Sequence, residues 1–213
     1  MQAPLRPLLE ARDLACQRGE RLLFRRLSFR LEAGTACHVT GANGAGKTTL
    51  LRALAGLTTP FAGEVLREGT LGLLDDRTGL DPELPLERAL AFWFALDAAA
   101  NTATLMERLR LSALAEVPVR YLSTGQKKRV ALARLLSQEA AIWLLDEPLS
   151  GLDIASQGLV SALVTEHCSA GGIALIASHQ PLDVPDMTSF AIEDYQLALP
   201  EGDGIEGWGE QSA

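Results

Sequence analysis

Three cysteines in 213 residues, at positions 16, 37 and 168, are too few and too scattered for a disulfide framework or a thiolate metal site. They read as buried free thiols of a reducing compartment. Long apolar runs are also missing. The longest uncharged apolar windows, such as residues 90–96, fall far short of the roughly 20 residues a membrane helix needs. Residues 1–6 lack the apolar core of a secretory signal. The sequence therefore predicts a cytoplasmic chain, and any membrane step it serves needs another polypeptide. Basic residues are in deficit: 19 Lys and Arg stand against 27 Asp and Glu, for a net charge of −8 at pH 7. That balance argues against nucleic acid held mainly by charge, while leaving room for a local basic patch. Aromatics make up only 5%, so three in a row, Phe92, Trp93 and Phe94, stand out as a candidate contact surface. No internal repeat is visible. The 47% hydrophobic and 22% charged composition is that of a globular chain, long enough for one domain with a small inserted lobe.

What is present is glycine concentrated at one place. Gly41, Ala42, Asn43, Gly44, Ala45, Gly46, Lys47, Thr48 and Thr49 fit G-x-x-x-x-G-K-[ST], the phosphate loop of nucleoside triphosphatases. A triphosphate is a dense anion that must be wrapped by backbone N–H groups. Close wrapping excludes Cβ atoms and demands unusual dihedrals, which glycine permits. Lys47 is placed to reach the β- and γ-phosphates, and Thr48 offers a hydroxyl to Mg2+. Residues 35–40 before the loop read as a buried strand. Residues 47–56 after it read as a helix whose N-terminal end points at the phosphates. Strand, loop and helix form the setting the motif requires.

Along the rest of the chain, residues 8–16 predict a strand, and 22–24 and 27–31 two further short strands. Residues 64–67 and 70–74 are short strand candidates, and 75–85 a loop. Residues 86–96 have helical spacing, and Asn101 is placed to cap a helix running toward residue 114. Residues 83–122 thus read as a mostly helical insert. Residues 142–145 and 173–177 are continuous apolar runs, as fully buried parallel strands require. Helices are expected around residues 130–136 and over 154–168. One or two edge strands are expected over 190–199, and a disordered tail over 201–213.

Two further motifs carry chemistry. The strand at 142–145 ends in Asp146 and Glu147. Asp146 is placed to hold Mg2+ opposite Thr48, and Glu147 to orient or deprotonate an attacking water. Upstream, Leu122, Ser123, Thr124, Gly125 and Gln126 open a helix with a serine cap and a bare glycine, a second anion site. Since the chain already has one phosphate loop, this suggests a phosphate held between two chains.

In this order and spacing the motifs resemble the ABC ATPase family: the phosphate loop, the signature at 122–126, Asp146 and Glu147, the run Ser150, Gly151, Leu152, Asp153, and His179 after an apolar strand. The resemblance covers nearly the whole chain. It implies an α/β fold, a P-loop NTPase core of ABC type. This has a mostly parallel sheet with flanking helices, an antiparallel β subdomain and a helical insert. Residues 1–200 would form one nucleotide-binding domain. It further implies ATP and Mg2+ as ligands, with Lys47, Glu147 and His179 catalytic and His179 at the γ-phosphate. Two copies would dimerise head to tail, each ATP lying between one copy's phosphate loop and the other's Ser123, Gly125 and Gln126, with Asp153 linking the two sites. A finer likeness, in residues 22–29, 118–121 and 178–182, is to the ATP-binding subunits of heme exporters of cytochrome c maturation. That implies integral membrane subunits as partners, at the cytoplasmic face of a bacterial inner membrane, with heme handled by those partners. No heme ligand set is visible in this chain.

Two family features are absent. Arg18 stands where the family has an aromatic residue that stacks on adenine; a guanidinium plane can also stack. No glutamine occurs between Gln17 and Gln126, so the loop after residues 71–74 offers Asp75, Asp76 or Arg77 in place of the family's metal-contacting glutamine. The readings that compete with a heme exporter are another small exporter, a soluble ABC ATPase, and a subunit that binds ATP without turning it over.

Overall fold

The computed structural model describes residues 6–75 and 77–196. The expectations of a loose start at residues 1–5, of a role for Asp76, and of a tail over 201–213 lie outside them. Two sheets organise the chain. The first is antiparallel, in the order β2–β1–β4, from β1 (Leu8–Arg18), β2 (Arg21–Glu32) and β4 (Ala62–Glu68). The second has five strands in the order β5–β6–β7–β3–β8, every pair parallel. Its members are β3 (Ala36–Thr40), β5 (Leu71–Leu74), β6 (Ile142–Asp146), β7 (Ile173–Ala177) and β8 (Thr188–Ala191).

Strand side chains alternate between faces, and here each face feeds its own core. Ile142, Leu144, Ile173 and Leu175 bury with Leu50, Leu51 and Leu54 of α1 (Lys47–Leu54) and with Leu9, Phe24 and Leu27 of the antiparallel sheet. Trp143, Leu145, Ala174 and Ile176 bury on the other face. There they meet α4 (Thr124–Ser137), α5 (Ile154–Ser169) and the insert helix α2 (Leu86–Leu96). Both faces of the parallel sheet are covered, which is why its central strands read as unbroken apolar runs. The stacking of Trp143 on His167 of α5 (centroids 3.8 Å apart, planes 5° from parallel) ties strand to helix.

Four expectations are corrected. Residues 22–24 and 27–31 are not two strands but one, because Arg26 takes a left-handed turn (φ 55°) inside a bulged pairing with β1. Asn101 sits at the start of α3 (Thr102–Arg108) but is itself left-handed (φ 58°) and makes no side-chain cap. That helix ends at Arg108 instead of running to residue 114, with Arg110 left-handed just beyond and Arg129 donating to the Leu109 and Arg110 carbonyls. The edge strand comes early, at 188–191, and gives way to a 3-10 turn at Ile192–Tyr195. Of the aromatic trio, Phe94 is buried, Trp93 lies under the Arg134 guanidinium (3.6 Å to the ring centre), and only Phe92 is largely exposed.

Candidate active site

A parallel sheet delivers whatever follows its strands to one edge, where open α/β folds bind ligands. Here β3 delivers the phosphate loop, β6 delivers Asp146 and Glu147, and β7 delivers Ser178 and His179. A cavity of about 220 Å³ opens at that edge, lined by Arg18, Leu23, Asn43, Gly44, Gly46, Lys47, Thr48, Thr49, Asp146 and Glu147. Nine of these ten were expected from the sequence. Leu23 was not, since nothing in a strand's apolar position announces that it forms a wall.

Inside the loop, Gly44 is left-handed (φ 82°) with open space where a Cβ would stand. The glycine is therefore required there by backbone conformation and not by crowding. Lys47 is 6% exposed, and a buried ammonium needs partners. It donates to the carbonyls of Gly41 (2.6 Å) and Ala42 (3.2 Å) and lies 3.9 Å from Glu147 Oε1. Glu147 is itself left-handed (φ 45°), a costly conformation for a side chain with Cβ. Its N–H extends the β6–β7 ladder to the Ala177 carbonyl (2.8 Å), while its other carboxylate oxygen bonds His179 Nδ1 (2.8 Å). One strained turn thus sets a carboxylate between the phosphate-loop lysine and a half-exposed histidine. His179 is held from behind, because its neighbour Ser178 is fully buried and its carbonyl is bonded by His38 Nε2 (3.0 Å).

Several expected residues lie elsewhere. Gly41, Ala42 and Ala45 belong to the loop but do not line the cavity. Ser123 is exposed, and its hydroxyl caps α4 by accepting from Gln126 N (3.2 Å). Gln126 Oε1 in turn accepts from Ser123 N (2.7 Å), completing a reciprocal capping box. A Cβ on Gly125 would lie 2.6 Å from the Gly151 carbonyl, so that glycine serves close packing of the signature on the loop before α5. Asp153 caps α5 through Ser156 N (2.8 Å), and hydrogen bonding from Ser156 holds its carboxyl below the ordinary value. None of Ser123, Gly125, Gln126 and Asp153 touches this chain's own cavity. In place of the family glutamine, Asp75 also stays outside it. Its carboxylate faces Arg52 of α1 (3.8 Å) and accepts from Arg77 N (2.9 Å).

Residues that sequence reasoning missed hold the loop from outside. Glu193 accepts from the Ala42 N–H, and Gln196 Nε2 donates to the Ala45 carbonyl (3.0 Å). They lie about 150 positions downstream, in a stretch that carries no motif.

Comparison with known proteins agrees with this arrangement. The ABC transporter family pattern matches residues 24–150. A protein of Novosphingobium aromaticivorans named cytochrome c biogenesis ATP-binding export protein CcmA is 50% identical over 188 residues, covering 88% of this chain and 97% of its own. The protein of that name from Zymomonas mobilis is 48% identical over 198 residues, covering 92% and 90%. Among solved structures, an ABC transporter ATP-binding protein from Pyrococcus furiosus superposes with a TM-score of 0.76 at 26% identity, over 89% of this chain and 100% of that one. A dimeric ATP-binding cassette bound to ADP and Pi shares the fold, with a TM-score of 0.71 at 20% identity, over 81% and 88%. With its loop, its paired acids and its histidine gathered at one sheet edge, and with relatives of this kind matching nearly end to end, this chain belongs to the ABC transporter family, among its ATP-binding proteins.

Proposed function

We propose that this chain is the ATP-hydrolysing subunit of the exporter complex of cytochrome c biogenesis. The observation that carries the reading is the meeting of Lys47, Asp146, Glu147 and His179 beside an open phosphate loop. The name shared by the relatives supplies the pathway. Thr48 and Asp146 line the same cavity and offer hard oxygen donors, a set that suits Mg2+, which keeps most of its waters and takes few protein ligands. When bound there, Mg2+ would neutralise charge on the transferring phosphoryl group. Lys47 exchanges the Gly41 and Ala42 carbonyls for phosphate oxygens. Glu147 accepts the proton of the attacking water, whose oxygen bonds the γ-phosphorus as the bond to the β–γ bridging oxygen breaks. ADP and phosphate leave. His179, anchored on Glu147, contacts the γ-phosphate, and Arg18 stacks on the base.

Each site is completed by a second copy, arranged head to tail, that supplies Ser123, Gly125 and Gln126, with Asp153 linking the two sites. This accounts for an exposed, capped helix start that does not line its own chain's cavity. Closure of that dimer on ATP and its opening after hydrolysis would move integral membrane subunits. The partners handle heme, and the chain works at the cytoplasmic face of the inner membrane. No helix among the described residues is long and apolar enough to cross a bilayer. The exposed Phe92 and Leu96 of α2 are the proposed contact with those subunits. Affinity purification of the tagged chain from detergent-solubilised inner membranes tests this. Retrieval of integral membrane subunits, lost on Phe92→Ser with Leu96→Ser, is expected. Recovery of the chain without membrane partners would contradict the reading.

A further inference from the structure

The phosphate loop is gripped from behind by a short turn that belongs to none of the nucleotide motifs. Strand β8 pairs with β3 in parallel, so the residues after β8 emerge beside the loop that follows β3. They form the 3-10 turn Ile192–Tyr195, and Gln196 follows it. A 3-10 turn has three residues per turn, so positions three apart share one face. Glu193 and Gln196 are three apart, and both meet the loop. The Glu193 carboxylate accepts from the Ala42 N–H, and the Gln196 amide donates 3.0 Å to the Ala45 carbonyl. Just before them Ile192, fully buried, packs against Gly41. A Cβ at Gly41 would lie 2.7 Å from Ile192 Cγ2 and 2.6 Å from Glu193 Oε2. Gly41 is therefore bare where this turn docks, as well as left-handed (φ 145°).

We infer that Glu193 and Gln196 are positioning residues for the nucleotide. They take up one outward N–H and one outward carbonyl of the loop, at Ala42 and Ala45. The N–H groups of Gly44, Gly46, Lys47 and Thr48 are then held in the arrangement that a triphosphate needs. A loop without these holds must be ordered by the ligand itself, which weakens binding without altering chemistry once ATP is in place. The carboxylate acts here as an acceptor, so an uncharged acceptor of the same length keeps the contact in a weaker form.

The inference rests on the ATP reading of the loop, and one experiment separates the two. MgATP affinity, KM and kcat are measured on the full chain for wild type, Glu193→Ala, Glu193→Gln and Gln196→Ala, with melting temperatures alongside. Loss of a charged acceptor from a loop amide predicts a KM and Kd for ATP raised about five- to tenfold in Glu193→Ala, with kcat within about twofold. Gln196→Ala, which removes a neutral bond, should raise them about threefold. Glu193→Gln, which keeps the acceptor but not its charge, should recover most of the affinity lost in Glu193→Ala, a rescue that a mere loss of packing would not show. If wild type binds no ATP, the reading of the loop fails. If wild type binds ATP and Glu193→Ala binds it equally well or better, or Glu193→Gln is as weak as Glu193→Ala, the positioning role is overturned. Should Glu193→Ala melt too low to assay, Gln196→Ala decides: an unchanged KM there overturns the role.

Discussion

At the scale of single residues, the proposed chemistry centres on Glu147. It takes a left-handed backbone, reaches toward Lys47 and bonds His179. Glu147→Gln keeps the shape and the hydrogen-bond acceptor but removes the base. It should lower phosphate release about a hundredfold or more while retaining ATP, read by turnover and by equilibrium binding. Undiminished turnover would remove Glu147 from the mechanism. His167 makes a separate prediction, about stability. Burial against Trp143 lowers its pKa below the ordinary value of 6.5, with bonding to the Ile173 and Ala141 carbonyls opposing the shift. The unfolded chain takes up a proton near pH 6.5, while the folded chain resists it until lower pH. The stability contributed above that value is therefore lost as pH falls toward the folded pKa. The melting temperature of wild type should accordingly drop more steeply between pH 7.5 and 5.5 than that of His167→Gln. Parallel profiles would show that His167 is not the group responsible. Lys47, Asp146 and Glu147 were legible in the sequence because their spacing within a motif reflects local backbone geometry. Glu193 was not, because its contact with Ala42 spans about 150 positions and exists only once β8 lies beside β3.

At the scale of elements, the joint between β5 and α4 positions the signature helix on the parallel sheet. A Cβ on Gly72 of β5 would stand 2.6 Å from Leu135 Cδ1 and 3.2 Å from the Ala140 Cβ. Leu135 is fully buried and cannot retreat cheaply. Gly72→Ala should therefore cost about 1–3 kcal/mol by overpacking, seen as a melting temperature lower by roughly 3–10 °C. An unchanged melting temperature would mean that α4 slides freely on the sheet. The central strands were readable because burial on both faces leaves an unmistakable apolar run. The continuity of β2 through Arg25 and Arg26 was not readable, since a bulge is imposed by the partner strand and two exposed arginines resemble a turn. The end of α3 was hidden for a similar reason: Arg129, from another element, takes the Leu109 and Arg110 carbonyls just past the helix.

At the scale of the molecule, the proposed function assigns the phosphate loop and the start of α4 to opposite sides of one nucleotide held by two copies. Lys47 and Glu147 face one cavity, while Ser123 is exposed at the head of α4 and takes no part in lining it. If ATP is held between copies, damage to the two halves should be complementary. Lys47→Ala and Ser123→Arg are each expected to lose ATPase activity. A mixed dimer of the two retains one intact site, pairing Lys47 from the Ser123→Arg copy with Ser123 from the Lys47→Ala copy. The decisive measurement is the ATPase rate of the two purified variants, alone and mixed in equal amounts at concentrations where the wild type is active. The account predicts activity in the mixture and essentially none in either variant alone. A mixture as inactive as its parts, or a Ser123→Arg variant as active as wild type, would contradict it.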